Sequence, residues 1–310
     1  MKEHLTLKSS HSAMDSAEEV VQAFSNYTKI TFIRDPFKKV FSAYVDKVYR
    51  AFVDGLNAQI LRRSHKKMDG HKRHDDPRTY KRSAVPPITL LNVSFTDTLL
   101  YAMQAPHVNE HFQLQHVFCD VCHVNYDVIG KMETFNVDVG YLLSSLNRTE
   151  VFQAMGNIDS NNERKIVIDT VATSFERTLA PKRSCQFKDA LLRRLWSMFQ
   201  IRGYICDTLR FPFRNTGETC NIDRMSFEQL VLDAMSKSND RNSLKAQKKR
   251  YFLQAFRSVP LSVLTQYRGH VSQDCQLFGY DCSPPELFQG RQDGDEIDSR
   301  FSDIKFLYTT

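Results

Sequence analysis

No stretch of this 310-residue chain approaches the roughly 18 apolar residues that a membrane-crossing helix requires. The opening residues, MKEHLTLKSSHSAMDSAEEV, have no apolar block of the kind that forms a secretion signal. Charge of either sign is not dominant: 42 Lys and Arg against 36 Asp and Glu leave +6. That mild excess favours anionic ligands as a class and leaves nucleotide, nucleic acid, membrane surface and acidic glycan all open. No nucleic-acid-binding module is recognisable. There is also no second cysteine pair to complete a four-ligand zinc site with the C-x-x-C of Cys119 and Cys122. Seven cysteines are an odd number, so at least one stays unpaired if disulfides form.

Hydrophobic residues at 41% and charged residues at 25% are those of an ordinary globular chain. Its length suffices for a full core, in one large or two small domains. The sequons at Asn26, Asn92 and Asn147 are expected N-glycosylation sites if the chain enters a lumen.

Along the chain, residues 16–24 have a helical pattern. KITFI, ending at Ile33, is short, β-branched and apolar, as in a buried parallel strand. Asp35 and Pro36 then form a helix start, an N-cap followed by proline at the first helical position. Apolar residues from Phe37 to Phe52 recur at three- and four-residue spacings, predicting a helix of about four turns. Strand, tight turn and helix make half of a βαβ unit.

Residues 62–82 hold nine Lys or Arg and three His and should be a solvated loop. That loop reads as an exposed connector, with a polyanion contact or a nuclear-localisation patch as the alternatives. Helical spacing returns in LLNVSFTDTLLYAM, and NYDVIG reads as a second β-rich run. Further on, 163–179 and 187–201 are helix-like, SKSNDRNSLKAQKKR is a polar charged run, and helical character returns at YFLQAF.

The junction RDP, Arg34 to Pro36, carries the main functional signal. A capped helix start attracts anions through its free N–H groups and its dipole. An arginine just before it can fork two donors onto a phosphate. Ser42 lies seven residues after Asp35, about two turns on and on roughly the same side. Composition alone also allows Arg34 to pair with a carboxylate and Ser42 to be a surface residue.

The longer string RDPFKKVFSAYVDK resembles the 3′-phosphate-binding motif of the Golgi carbohydrate sulfotransferases, the chondroitin 4-O and HNK-1 sulfotransferase family. Arg34, Asp35, Pro36, Phe37, Ser42, Ala43, Tyr44 and Lys47 match that motif, while Lys39 stands where the family has arginine. HVNEHFQLQHVFCDVCHVNYDVIGKMETF and YFLQAFRSVPLSVLTQYRGHVSQDCQLFGYD resemble later family segments in the same order. The resemblance covers about 16–135 and 250–282.

The resemblance implies a single α/β domain over 1–310, with a mostly parallel sheet flanked by helices and P-loop-like. In this reading 136–249 is a helical insertion and 283–310 a tail. It implies 3′-phosphoadenosine 5′-phosphosulfate as donor, with no metal, and Arg34 and Ser42 on the donor's 3′-phosphate. The acceptor would be a hydroxyl on a glycan of chondroitin or dermatan type. His111, in NEHF, matches a family histidine and is the candidate catalytic base; a structural or surface role is the alternative. His107 and His116 have weaker claims, and Lys131 and Glu133 are expected to serve as an ion pair or backbone support.

The family has C-x-P-C where Cys119 and Cys122 stand, so the resemblance implies a disulfide there; Cys275 and Cys282 are another plausible pair. The family's upstream lysine loop, which contacts the 5′-phosphosulfate, has no counterpart before Arg34; PKRSCQFK, Pro181 to Lys188, echoes it only faintly. The expectation is an N-terminally incomplete chain whose anchor and sulfate loop are missing, from a type II membrane protein facing the Golgi lumen. Two other functions fit less: a non-catalytic glycan-binding relative, and a basic nucleic-acid-binding protein using 62–82. In the main reading nucleic acid is not a partner.

Overall fold

The computed structural model describes residues 27–50, 56–57, 59–61, 93–104, 109–155, 158–178 and 184–290. The helix expected over 16–24, the basic stretch 62–82, Asn26, Asn92, His107 and the PKR of PKRSCQFK lie outside the described residues.

In chain order, β1 (Ile30–Ile33) leads into α1 (Pro36–Ala43), which continues as one π-helical stretch, Tyr44–Tyr49. Then come α2 (Phe95–Gln104), a 3₁₀ turn at Glu110–Phe112, α3 (Gln115–Phe118) and β2 (Val128–Lys131). Among the described residues only helices follow: α4 (Phe135–Ser145), α5 (Thr149–Met155), α6 (Ile158–Thr178), α7 (Cys185–Ile201) and α8 (Thr216–Cys220). The last are α9 (Arg224–Lys237), α10 (Arg241–Arg257), α11 (Leu261–His270), α12 (Ser272–Phe278) and α13 (Pro285–Phe288).

β1 and β2 pair in parallel, Ile30 opposite Val128 through Ile33 opposite Lys131. Parallel strands require a crossover, and the intervening helices α1 to α3 belong to it. The α/β class therefore holds, but the sheet is smaller than expected: among the described residues it has two strands, and helices dominate. Gly130 is fixed by the sheet, since a Cβ there would run into the Phe32 ring.

Helix α1 starts as its residues dictate. The Asp35 carboxylate accepts the N–H groups of Phe37 (2.8 Å) and Lys38 (3.1 Å), and Pro36 fills the first helical position. The switch to π geometry at Tyr44 was not anticipated from the three- and four-residue spacing. It buries Tyr44, Val45, Val48 and Tyr49 together. π segments recur near functional sites, and this one begins two residues after Ser42.

Phe37 is 1% exposed and meets the rings of Phe256 on α10 (5.7 Å) and Tyr267 on α11 (5.8 Å). Phe95 on α2 packs on Phe256 at 4.9 Å and on Phe41 at 6.0 Å. Leu192, Leu195 and Phe199 of α7 are wholly buried in the same cluster. Each full burial of such a side chain contributes roughly 1.5–3 kcal/mol. Residues far apart in sequence thus hold the RDP turn rigidly against α10 and α11.

Two disulfides brace the helical part. Cys275–Cys282 is the pair considered plausible from sequence, and Cys185–Cys220 ties the start of α7 to α8. Helix α10 begins at Arg241, well before the YFLQAF where the sequence first looks helical. Asp240 caps it through the N–H groups of Asn242 and Ser243. Its first turns bury only Gln247, so the hydrophobic period is too faint to read. No helix among the described residues is long and apolar enough to cross a membrane.

Candidate functional site

The Arg34 peptide is held from the side. Its N–H donates to Gln115 Oε1 (2.7 Å), and its carbonyl accepts from Gln115 Nε2 (2.6 Å). Gln115 is fixed in turn by Asp274 of α12, whose buried carboxylate accepts the N–H of Gln115 (2.7 Å) and of His116 (2.9 Å). Asp274 also binds the His116 ring at Nδ1, 2.7 Å away. That places His116 in a structural role.

The Asp35 N–H, on the same peptide group as the Arg34 carbonyl, is held by a different residue. That N–H donates to Glu133 Oε1 (3.1 Å), and the Tyr280 hydroxyl donates to Glu133 Oε2 (2.9 Å). Lys131 lies over the Tyr280 ring, 4.6 Å from its centre. Glu133 and Lys131 therefore act as support, one of the two roles expected of them.

Arg34 and Ser42 line one open cleft of about 840 Å³. Its opposite wall comes from the end of α7 and from α10: Arg202, Tyr204, Lys245, Lys248 and Lys249. With Lys38, six basic side chains line this cleft against two acidic ones, Glu133 and Glu286. Lys38 lies 3.9 Å from Glu133, and Arg202 pairs with Asp46 at 3.1 Å. Among the described residues no carboxylate comes within pairing distance of the Arg34, Lys245, Lys248 or Lys249 side chains. Like charges gathered without counter-ions favour an anion between them.

The electrostatic consequences are local. Solvent reaches Lys248 through the open cleft, but the cleft walls desolvate its ammonium, and the charges of Arg34 and Arg202 add to that. Its pKa falls below the usual lysine value. Asp46 shows the opposite balance: burial works to raise its pKa, but Arg202, Arg50 and Lys47 together hold it below the usual carboxylate range.

A second cleft, about 470 Å³, shares Arg34, Ser42 and Arg202 with the first and adds His111, Lys47 and Asp46. The local sequence presents His111 outward. Asn109 Oδ1 accepts the His111 N–H (3.0 Å) and caps the 3₁₀ turn, while Phe112 beside it is buried against Tyr101 at 5.8 Å. Desolvation, then the charge of Lys47, lowers the His111 pKa, although Glu110 works against this. The ring is thus neutral near pH 7 and able to accept a proton.

Cys119 and Cys122 are not joined, contrary to the disulfide expected from the family pattern. The Cys119 sulfur faces β1, 3.4 Å from Thr31 Oγ1, while Cys122 is exposed. Between them Asp120 takes a left-handed backbone, φ 48°. Ser184 of the PKRSCQFK echo caps α7, and Lys188 donates to the Cys220 carbonyl (2.7 Å), so both serve that helix pair.

Comparison with known proteins accords with the motif. The family model described as the sulfotransferase family matches residues 1–201, well over half of the chain. The chain belongs to the sulfotransferase family. Carbohydrate sulfotransferase 11 of Rattus norvegicus is 29% identical over 140 residues, 41% of this chain and 35% of that protein. Carbohydrate sulfotransferase 12 of Xenopus laevis is 31% identical over 142 residues, and carbohydrate sulfotransferase 14 of Mus musculus 28% over 130. In both, 41% of this chain and 30% of the relative are covered. The chain thus spans about a third of the length of the curated relatives it matches. No solved structure matches it.

One wall of the cleft is legible in the sequence and the other is not. Arg202, Tyr204 and the α10 lysines lie in the stretch read as an insertion. One signal was available: Lys245, Lys248 and Lys249 stand at i, i+3 and i+4, which places them on one face of a helix.

Proposed function

We propose that this chain carries the donor and acceptor sites of a carbohydrate O-sulfotransferase. The observation that carries the reading is the shared wall: Arg34 and Ser42 border both the cation-rich cleft and the cleft that holds His111. The donor is 3′-phosphoadenosine 5′-phosphosulfate, whose 3′-phosphate takes the Arg34 guanidinium and the Ser42 hydroxyl. A glycan hydroxyl of chondroitin or dermatan type enters on the His111 side. The strand–turn–helix at the donor end fits a P-loop-like nucleotide-binding topology.

In the reaction the acceptor oxygen attacks sulfur, and the bond from sulfur to the 5′-phosphate oxygen breaks. The products are a sulfate ester and adenosine 3′,5′-bisphosphate. Neutral His111 takes the hydroxyl proton as the new bond forms. The cleft cations offset the charge that builds on the departing phosphate.

The compartment is the Golgi lumen. Two disulfides suit an oxidising environment. Asn147, exposed at the turn between α4 and α5 in its N-R-T sequon, is open to glycosylation.

The test is transfer from radiolabelled donor to a panel of desulfated glycans by the wild-type chain and by Arg34→Ala and His111→Ala. Label on a chondroitin-type acceptor that both substitutions abolish is the expected result. Equal transfer by all three proteins would reject the reading.

A further inference from the structure

The polar run at the start of α10 is the one charged motif of the described chain that the 3′-phosphate site does not use. We infer that Lys248 of α10, with Arg202 at the end of α7, forms a second anion subsite that holds the 5′-end phosphate group of the nucleotide donor. This rests on the donor reading above and assigns new residues to it.

The backbone brings these two elements together by a specific device. Gly203 follows Arg202 in a left-handed conformation, φ +73°, and the α10 backbone passes so close that a Cβ there would sit 2.9 Å from the Leu244 carbonyl oxygen. That contact sets Arg202 and Tyr204 against the turn of α10 that carries Lys245 and Lys248. Gln247, buried between the two lysines, donates to the carbonyls of Gln200 (2.7 Å) and Ile205 (2.8 Å), one before and one after the turn. The lysine face is therefore locked in rotation about the helix axis.

The charges then point to a ligand. Lys248 faces Arg34 and Arg202 across the cleft closely enough for both to oppose its ammonium, and Glu163 is the acidic group acting on it. A nucleotide with phosphates at two positions fits two cationic centres: Arg34 with Ser42, and Lys248 with Arg202. With Arg34 and Ser42 on the 3′-phosphate, the donor's other phosphate is the one left for Lys248 and Arg202, which line the same cleft. That other phosphate is at the 5′ end, which carries the sulfuryl group.

Titration calorimetry with three ligands tests this on the full chain: adenosine 3′,5′-bisphosphate, adenosine 3′-monophosphate and adenosine 5′-monophosphate. Lys248→Ala is expected to weaken the bisphosphate and the 5′-monophosphate about tenfold while leaving the 3′-monophosphate within about twofold. Arg34→Ala should show the mirror pattern. Lys248→Arg, which keeps the charge, should restore most of the loss. If Lys248→Ala weakens no ligand, or all three equally, the subsite assignment is wrong while the donor reading stands. If the wild-type chain binds none of the three, the donor reading itself falls, and this inference with it.

Discussion

Gln115 grips the backbone of Arg34 on both sides of its Cα, accepting from its N–H at 2.7 Å and donating to its carbonyl at 2.6 Å. A single side chain thus does for Arg34 what a neighbouring strand would do for a residue inside a sheet. Asp274, 2% exposed, holds Gln115 in place. The backbone that carries the Arg34 guanidinium is held by residues 81 and 240 positions away in the chain.

Gln115→Ala should therefore weaken adenosine 3′,5′-bisphosphate binding about tenfold, as two hydrogen bonds of about 1 kcal/mol each are lost and Arg34 gains freedom. The measurement is a double-mutant cycle with Arg34→Ala. Strong non-additivity is expected, because Gln115 acts through Arg34. Losses that simply add would show that Gln115 serves only the general fold.

Gly203→Ala should lower the melting temperature and weaken bisphosphate binding together. The left-handed backbone costs an alanine about 1–2 kcal/mol, and the added Cβ pushes against Leu244 on α10. Thermal denaturation and calorimetry on the same preparation check this. A stable variant with unchanged affinity would mean that the α7–α10 junction does not shape the cleft.

His111 should give the acid limb of the pH–rate profile. Its pKa is lowered by desolvation and by Lys47, so the limb should lie below about pH 6.5, the ordinary histidine value. Activity falls as pH drops through that lowered value, because the protonated ring cannot accept a proton. His111→Ala should reduce kcat by about 10²-fold or more and leave bisphosphate affinity within about twofold. A variant that keeps its kcat would remove His111 from the chemistry.

The local signals were the legible ones. Asp35 and Pro36 fixed the start of α1, β-branched ITFI marked β1, and Arg34 with Ser42 marked one cleft wall, because each depends on neighbours in sequence. The opposite wall was hidden for a physical reason. The first half of α10 is placed by a buried glutamine and a glycine contact, while its buried apolar residues, Tyr251, Ala255 and Phe256, all lie in the second half, so periodicity says little about where the helix starts. The Cys119–Cys122 expectation failed because spacing only permits a bridge: the Cys119 sulfur lies against Thr31 of β1 instead, and Cys122 is exposed.

Thiol accounting checks that correction. Alkylation of denatured, unreduced protein should label Cys119, Cys122 and Cys206, and peptide mapping should find Cys185 linked to Cys220 and Cys275 to Cys282. A Cys119–Cys122 cross-link would restore the family-based pairing.

The decisive measurement is calorimetric binding of adenosine 3′,5′-bisphosphate to the wild-type chain and to Arg34→Ala. Losing this charge-assisted contact should cost about 2 kcal/mol or more, roughly a thirtyfold drop in affinity. Equal affinities for the two proteins would contradict the account at its root.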